Sequence, residues 1–234
     1  MVPFLSRLLF VTAILTPCIG EATSTAPAAA PDPAGLRTAD LQAWAIEQQP
    51  GGSVTVEDGA LVIKDRGGST LWLREKLTAP VEISYDVTVV DRGGSHDRVS
   101  DLNCFWMAND ARSSAPPFAP GQARSGRFAD YDSLLTYYVG YGGNNNTTTR
   151  FRRYDGSNAR PLLPEHDLRT REFLLEGNRT YRIRLVARDG VAEYWRDGER
   201  IFLHRDPAPL TSGWFALRTV RSHLVVRNLS IRRL

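Results

Sequence analysis

The chain has 234 residues, 42% hydrophobic, 9% aromatic and 24% charged, a globular composition that excludes a disordered acidic tail or a collagen-like polymer and leaves room for one domain with a real core. A net charge of +3 from 29 basic and 26 acidic residues is too balanced for a protein that neutralises a run of phosphates, so nucleic acid is not an expected partner. Among the basic residues only Lys64 and Lys76 are lysines, an arginine skew that makes any single surface Arg weak evidence of function.

Residues 1–20 carry one charged side chain, Arg7, ahead of an apolar run at 8–15 and the Pro17, Cys18, Ile19, Gly20 segment, which reads as a secretory signal peptide and predicts an exported protein, periplasmic or extracellular. The run is too short for a membrane span, and none is expected later. Cys18 invites a lipoprotein anchor, but Pro17 does not fit the small residue such a site carries. With Cys18 removed, Cys104 is the remaining thiol and no internal disulfide is expected. Residues 21–40, rich in Ala and Pro, read as a flexible leader, and residues 41–234 as a single domain.

From Trp44 onward the pattern is that of strands. Val54 and Val56 alternate with polar neighbours, Asp58-Gly59 supplies a turn, and Leu61 and Ile63 resume the alternation. Similar runs follow at 70–73, 81–90, 102–108, 134–141, 148–154, 181–187, 191–195, 200–204, 214–220 and 224–231, with Asp189-Gly190 and Asp197-Gly198 as further hairpin turns. No window shows a sustained 3.6-residue period, so no helix longer than about three turns is expected. This many short antiparallel strands predict an all-β, two-sheet antiparallel sandwich of the jelly-roll type.

Tyr181, Ile183, Leu185, Tyr194, Asp197 and Gly198, followed by Gly213, Trp214, Phe215 and then Val226, Leu229 and Ile231, resemble the last strands of concanavalin A-like lectin/glucanase jelly rolls. The segments DLNCFWMA from Asp101 and YYVGYGGNNNTTTRFRRYDG from Tyr137 make the domain similar to bacterial exported jelly rolls related to 3-keto-disaccharide hydrolase domains and found beside polysaccharide-degrading enzymes. The resemblance implies the fold and an oligo- or polysaccharide partner, and supplies no catalytic assignment.

Strand alternation turns Leu102, Cys104, Trp106 and Ala108 inward and leaves Asp101, Asn103, Phe105 and Met107 on the other face. By the same rule Tyr137, Val139 and Tyr141 are core while Tyr138 faces out, and Arg150, Arg152 and Tyr154 share a face opposite Phe151. If these strands are neighbours, Asp101, Asn103, Phe105, Tyr138, Arg150, Arg152 and Tyr154 gather in one concave groove, with Cys104 and Trp106 buried behind it and Asp101 and Asn103 exposed in it. Such a groove suits sugars, whose hydroxyls take planar polar partners and whose apolar faces stack on rings. Asn145 and Asn146 of the Asn run stand at its rim, although Gly and Asn here also serve a plain turn.

The Glu-x-Asp-x-x-Glu arrangement of jelly-roll glucanases is missing, and so is a Gly-x-Ser-x-Gly elbow. A lyase-type β-elimination on a uronate needs a carboxylate clamp, a base and an acid. Arg150 is the expected clamp, Tyr138 the acid or base, and His166 or His96 the other partner. Two alternatives share the groove: a hydrolase of oxidised (3-keto) disaccharides with Asp101 in proton transfer, and a non-catalytic carbohydrate-binding domain. Arg150 and Arg152, about 7 Å apart on one face, have only Asp155 as a nearby acid in their own stretch, so an external acidic ligand is their expected partner. No His cluster has metal-site spacing, Asp130 and Asp132 are too few for calcium, and no cofactor is expected.

Overall fold

The computed structural model describes Met1, Thr38 and residues 40–234; the expected signal and lipoprotein site, and almost all of the leader, lie outside the described residues. Two seven-stranded antiparallel sheets face each other. The first has the order β1 (Trp44–Gln48), β4 (Ser69–Thr78), β13 (Ser212–Thr219), β6 (Leu102–Asp110), β7 (Leu134–Gly142), β8 (Thr148–Asp155), β9 (Asp167–Leu168). The second runs β12 (Glu199–Arg205), β11 (Val191–Arg196), β10 (Thr180–Arg188), β5 (Val81–Val89), β14 (His223–Arg233), β3 (Ala60–Lys64), β2 (Ser53–Glu57). Helical turns among the described residues do not exceed four residues. The domain is the expected all-β sandwich, and among the described residues no amphipathic helix competes with it.

Alternation builds the interior. In β5 Val81, Ile83, Tyr85, Val87 and Val89 are buried while the residues between them are half-exposed. They meet Tyr181, Ile183 and Leu185 of β10, Leu224 and Val226 of β14, and Leu71, Tyr137, Val139, Phe151 and Phe215 of the facing sheet in one core. Each such side chain contributes about 1.5–3 kcal/mol on leaving water, so this face fixes the register.

Cys104 and Trp106 of β6 are buried in that core, as the alternation requires. The set breaks at its end. Met107 has φ 54 and the pairing of β6 with β7 shifts between Trp106 and Asn109, a bulge that turns Met107 into the core and Ala108 onto the outer face, the reverse of the expected assignment.

The outer face of the first sheet is not an open concavity. Phe118, Phe128 and Tyr131, from the segment between β6 and β7, fold back over it and form a second apolar cluster with Trp72, Phe105, Tyr138, Tyr154 and Trp214. This roof is anchored by polar groups sealed beneath it. Arg124, 3% exposed, pairs at 2.5 Å with Asp110, whose side chain is fully buried. Its guanidinium also donates to the carbonyls of Pro117 and Asp130, and its amide to Glu47 at 2.7 Å. Glu47 further accepts from Trp72 and the Tyr131 hydroxyl. At Gly126, φ +92, a Cβ would lie 2.4 Å from the carbonyl oxygen of Gly68, so the roof touches the sheet backbone to backbone where only glycine fits.

Candidate functional site: a polar cleft at one end of the first sheet

The pairing registers place Glu47, Thr70, Arg218, Asn103, Gly140, Arg150 and Asp167 directly opposite one another on β1, β4, β13, β6, β7, β8 and β9. Residues so paired point to the same face, giving one polar rung across all seven strands. The roof covers its first part. Arg218 is fully buried, with its guanidinium carbon 5.0 Å and 4.7 Å from the ring centroids of Phe128 and Tyr131. Beyond Phe128 the rung opens into a cleft of about 380 Å³ lined by Asn103, Tyr138, Gly140, Arg150 and Arg152, with Arg98, Asp101, Val220, Arg221 and the Gly143–Asn145 turn at the strand ends.

Asp101, Asn103, Tyr138, Asn145, Arg150 and Arg152 of the expected groove therefore meet in one cleft, although several are placed differently from expectation. Asn103 is 3% exposed rather than open to solvent. Its Nδ2 points toward Asp101 at 3.4 Å, while its Oδ1 is buried without a hydrogen-bond partner, a costly state for a polar atom unless a donor reaches it. Asp101 is half-buried, accepting from Arg98 at 3.0 Å and from Ser100 at 2.7 Å. Phe105 and Tyr154 are sealed under the roof and do not line the cleft. Tyr138 leans along its own strand, with its hydroxyl oxygen 2.8 Å from where a Cβ on Gly140 would be. Gly140 thus makes room for the phenol at the cleft floor. Burial pushes the Tyr138 hydroxyl well above its ordinary value, so at neutral pH it is a donor.

The two arginines differ. Arg150 is not waiting for an external acid, because β9 brings Asp167 against it in a bidentate pair at 2.8 and 3.1 Å. Hydrogen bonds from Arg150 and then Arg169 hold Asp167 down at about 2 against its partial burial. Asp155, the acid expected nearby, instead accepts from Ser157. Arg152 donates to the Arg160 carbonyl and, among the described residues, has no carboxylate within ion-pair distance. Burial, with Arg150 and Arg160 close by, pushes its guanidinium below the ordinary value although Tyr154 and Tyr138 oppose this. It is a cation short of an anion.

The Asn run serves the backbone first. Asn144, Asn145 and Asn146 have φ 54, 59 and 58, three left-handed residues in a row, which Asn tolerates better than other side chains. Asn145 accepts from Arg98 at the cleft rim. Asn146 is turned away and exchanges two hydrogen bonds with the Leu175 backbone, so its expected ligand contact gives way to a structural one.

Neither histidine joins the cleft. His166 is buried on the opposite side of β8, its ring 4.8 Å from Phe151 and 5.7 Å from both Phe202 and His204. His96 bonds the Gly51 carbonyl and Ser95 in a separate loop. Asp132 is taken by Arg160 and Asp130 by Ser125, and no group of three metal-ligating side chains occurs among the described residues. The sequence reading missed Arg98, Gly140, Arg221 and Phe128. Arg98 and Arg221 lie outside the strands, where alternation is silent, and Gly140 acts by what it lacks.

The family model described as "Domain of unknown function (DUF6250)" matches residues 63–229. No curated protein matches. Among solved structures, a protein of unknown function with a galectin-like fold from Bacillus subtilis is 17% identical, with TM-score 0.64, over 82% of this chain and 90% of that one. Carbohydrate binding module CBM66 from Bacillus subtilis is 12% identical, with TM-score 0.54, over 81% and 95%. The carbohydrate recognition domain of Emp46p is 12% identical, with TM-score 0.53, over 83% and 90%. At these identities the likeness is one of fold, a galectin-like jelly roll.

Proposed function

The chain belongs to the DUF6250 family, and we propose that its cleft binds an acidic saccharide, the carboxylate seated on Arg152. The observation that carries this reading is a cation short of an anion in one small polar cavity: Arg152 lines the cleft and, among the described residues, has no carboxylate partner. A sugar acid supplies that anion, and the Tyr138 hydroxyl and the Arg98–Asp101 pair add neutral and charged partners for its other oxygens. Two of the similar folds carry carbohydrate binding or recognition in their names, and the N-terminal sequence supports an exported protein that meets such ligands outside the cytoplasm.

A lyase-type elimination at the same site has less behind it. His166 and His96 stand elsewhere, and Tyr138, held protonated, is suited to donate rather than abstract a proton. Binding without cleavage is the better-supported function. Arg152→Gln is expected to weaken binding of an oligo-uronate by about 1.5–3 kcal/mol, the range of a hydrogen bond to a charged group, and to leave a neutral oligosaccharide of equal size nearly unchanged. Titration calorimetry on both ligands checks this. Equal losses would remove Arg152 as the carboxylate partner, and release of an unsaturated uronate absorbing in the ultraviolet would restore the lyase.

A further inference from the structure

The polar rung crosses the whole first sheet, yet only one end of it is accessible. On the β13 side it runs into Phe128, over whose ring the guanidinium groups of Arg160 and Arg218 lie at 4.5 and 5.0 Å. That ring is a wall rather than a stacking platform. Behind it the roof touches the strands at Gly126 and Gly68 and is locked by the buried Arg124–Asp110 pair. A displaced roof would leave Arg124 and Asp110 without each other, and stranding a buried charge is strongly unfavourable. The opposite end, at Arg150 and Asp167, is half-exposed. The volume, about 380 Å³, is at the low end of the roughly 300–1,000 Å³ of small-molecule pockets, room for a sugar ring or two and not for a chain passing through.

We infer that the cleft is blind and takes the terminal residue of an acidic saccharide chain, with the rest of the chain leaving over Arg150 and Asp167. This rests on the acidic-saccharide reading above and adds the selection of chain ends over internal segments. A groove open at both ends would bind any internal stretch, so a long polymer would hold many copies of the protein. A blind cleft gives one copy per available end whatever the length.

The test titrates the protein with oligo-uronates of increasing length, with a uronate polymer, and with an oligomer carrying bulky groups at both termini. The expected result is an affinity per molecule that stays within about twofold across the series, polymer binding in proportion to its ends, and at least a tenfold loss for the doubly blocked oligomer. Stoichiometry rising with length, or full affinity for the blocked oligomer, overturns the chain-end inference while leaving the acidic-saccharide reading intact. No binding to any unblocked member overturns both.

Discussion

Arg150 and Arg152 sit two apart on β8 and face the same cleft, as alternation alone foretold, yet the fold gives them opposite roles. The difference is Asp167, seventeen positions along the chain from Arg150, carried on a two-residue strand that no hydrophobic pattern marks. Facing is a local property that sequence displays; the identity of a partner across a sheet edge is not. Replacing Arg150 with Ala is expected to cost stability before it costs ligand. The pair is partly solvated and Arg169 still reaches Asp167 at 2.8 Å, so the loss should be about 0.5–1 kcal/mol in a urea titration. Its effect on oligo-uronate affinity should be smaller than that of Arg152→Gln, and the reverse order would return the clamp to Arg150.

Among the elements, the roof decides how much of the sheet is site and how much is core. Its sequence, rich in Pro, Ser and Gly between Ala111 and Arg127, carries no period and reads as an ordinary connection. Without that segment, strand alternation alone turns Phe105 and Tyr154 toward a groove that the roof in fact covers. The strands were legible because each repeats one rule; the roof is held by buried arginines, Arg124 within it and Arg218 beneath it, whose meaning appears only in three dimensions. Against its own burial, Asp110 is held down at about 2 by hydrogen bonds from Arg112 and Arg124, so it stays charged and needs them. Arg124→Ala should therefore destabilise the protein by about 3 kcal/mol, the low end for a broken buried pair because Arg112 remains. The loss should appear in thermal unfolding together with a changed near-ultraviolet signal from Trp72. An unchanged melting temperature would show that the roof is dispensable.

For the whole molecule, stability should fall in two stages on acidification. Burial pushes His166 and His204 below their ordinary value of 6.5, so the unfolded chain takes up protons more readily than the folded one. Their contribution is complete above about pH 6.5 and is lost as pH drops through the folded values. Asp167 and Asp110, at about 2 in the fold against an ordinary 3.8, act lower down: their contribution is full above about pH 4 and disappears as pH approaches 2. Urea midpoints measured from pH 8 to pH 3 should show the first decline, and His166→Gln should flatten it. A midpoint that holds steady to pH 4 in the unaltered protein would contradict the lowered values of buried His166 and half-buried His204. The two-sheet architecture itself was open to reading because turn signals and alternation recur along the chain. Which strands neighbour which was legible only as a condition, and the cleft depends on it.

β14, the last strand in sequence, lies between β5 and β3 near the middle of the second sheet, pairing with Val81–Val89 on one side and Ala60–Lys64 on the other. Until its residues are available, β3 and β5 have no shared neighbour and the second sheet is two fragments with raw inner edges. During synthesis the ribosome must release nearly the whole domain before the sandwich can close. Until then β3 and β5 offer open edges to any other strand, and the segment from His223 to Arg233 is what seals them.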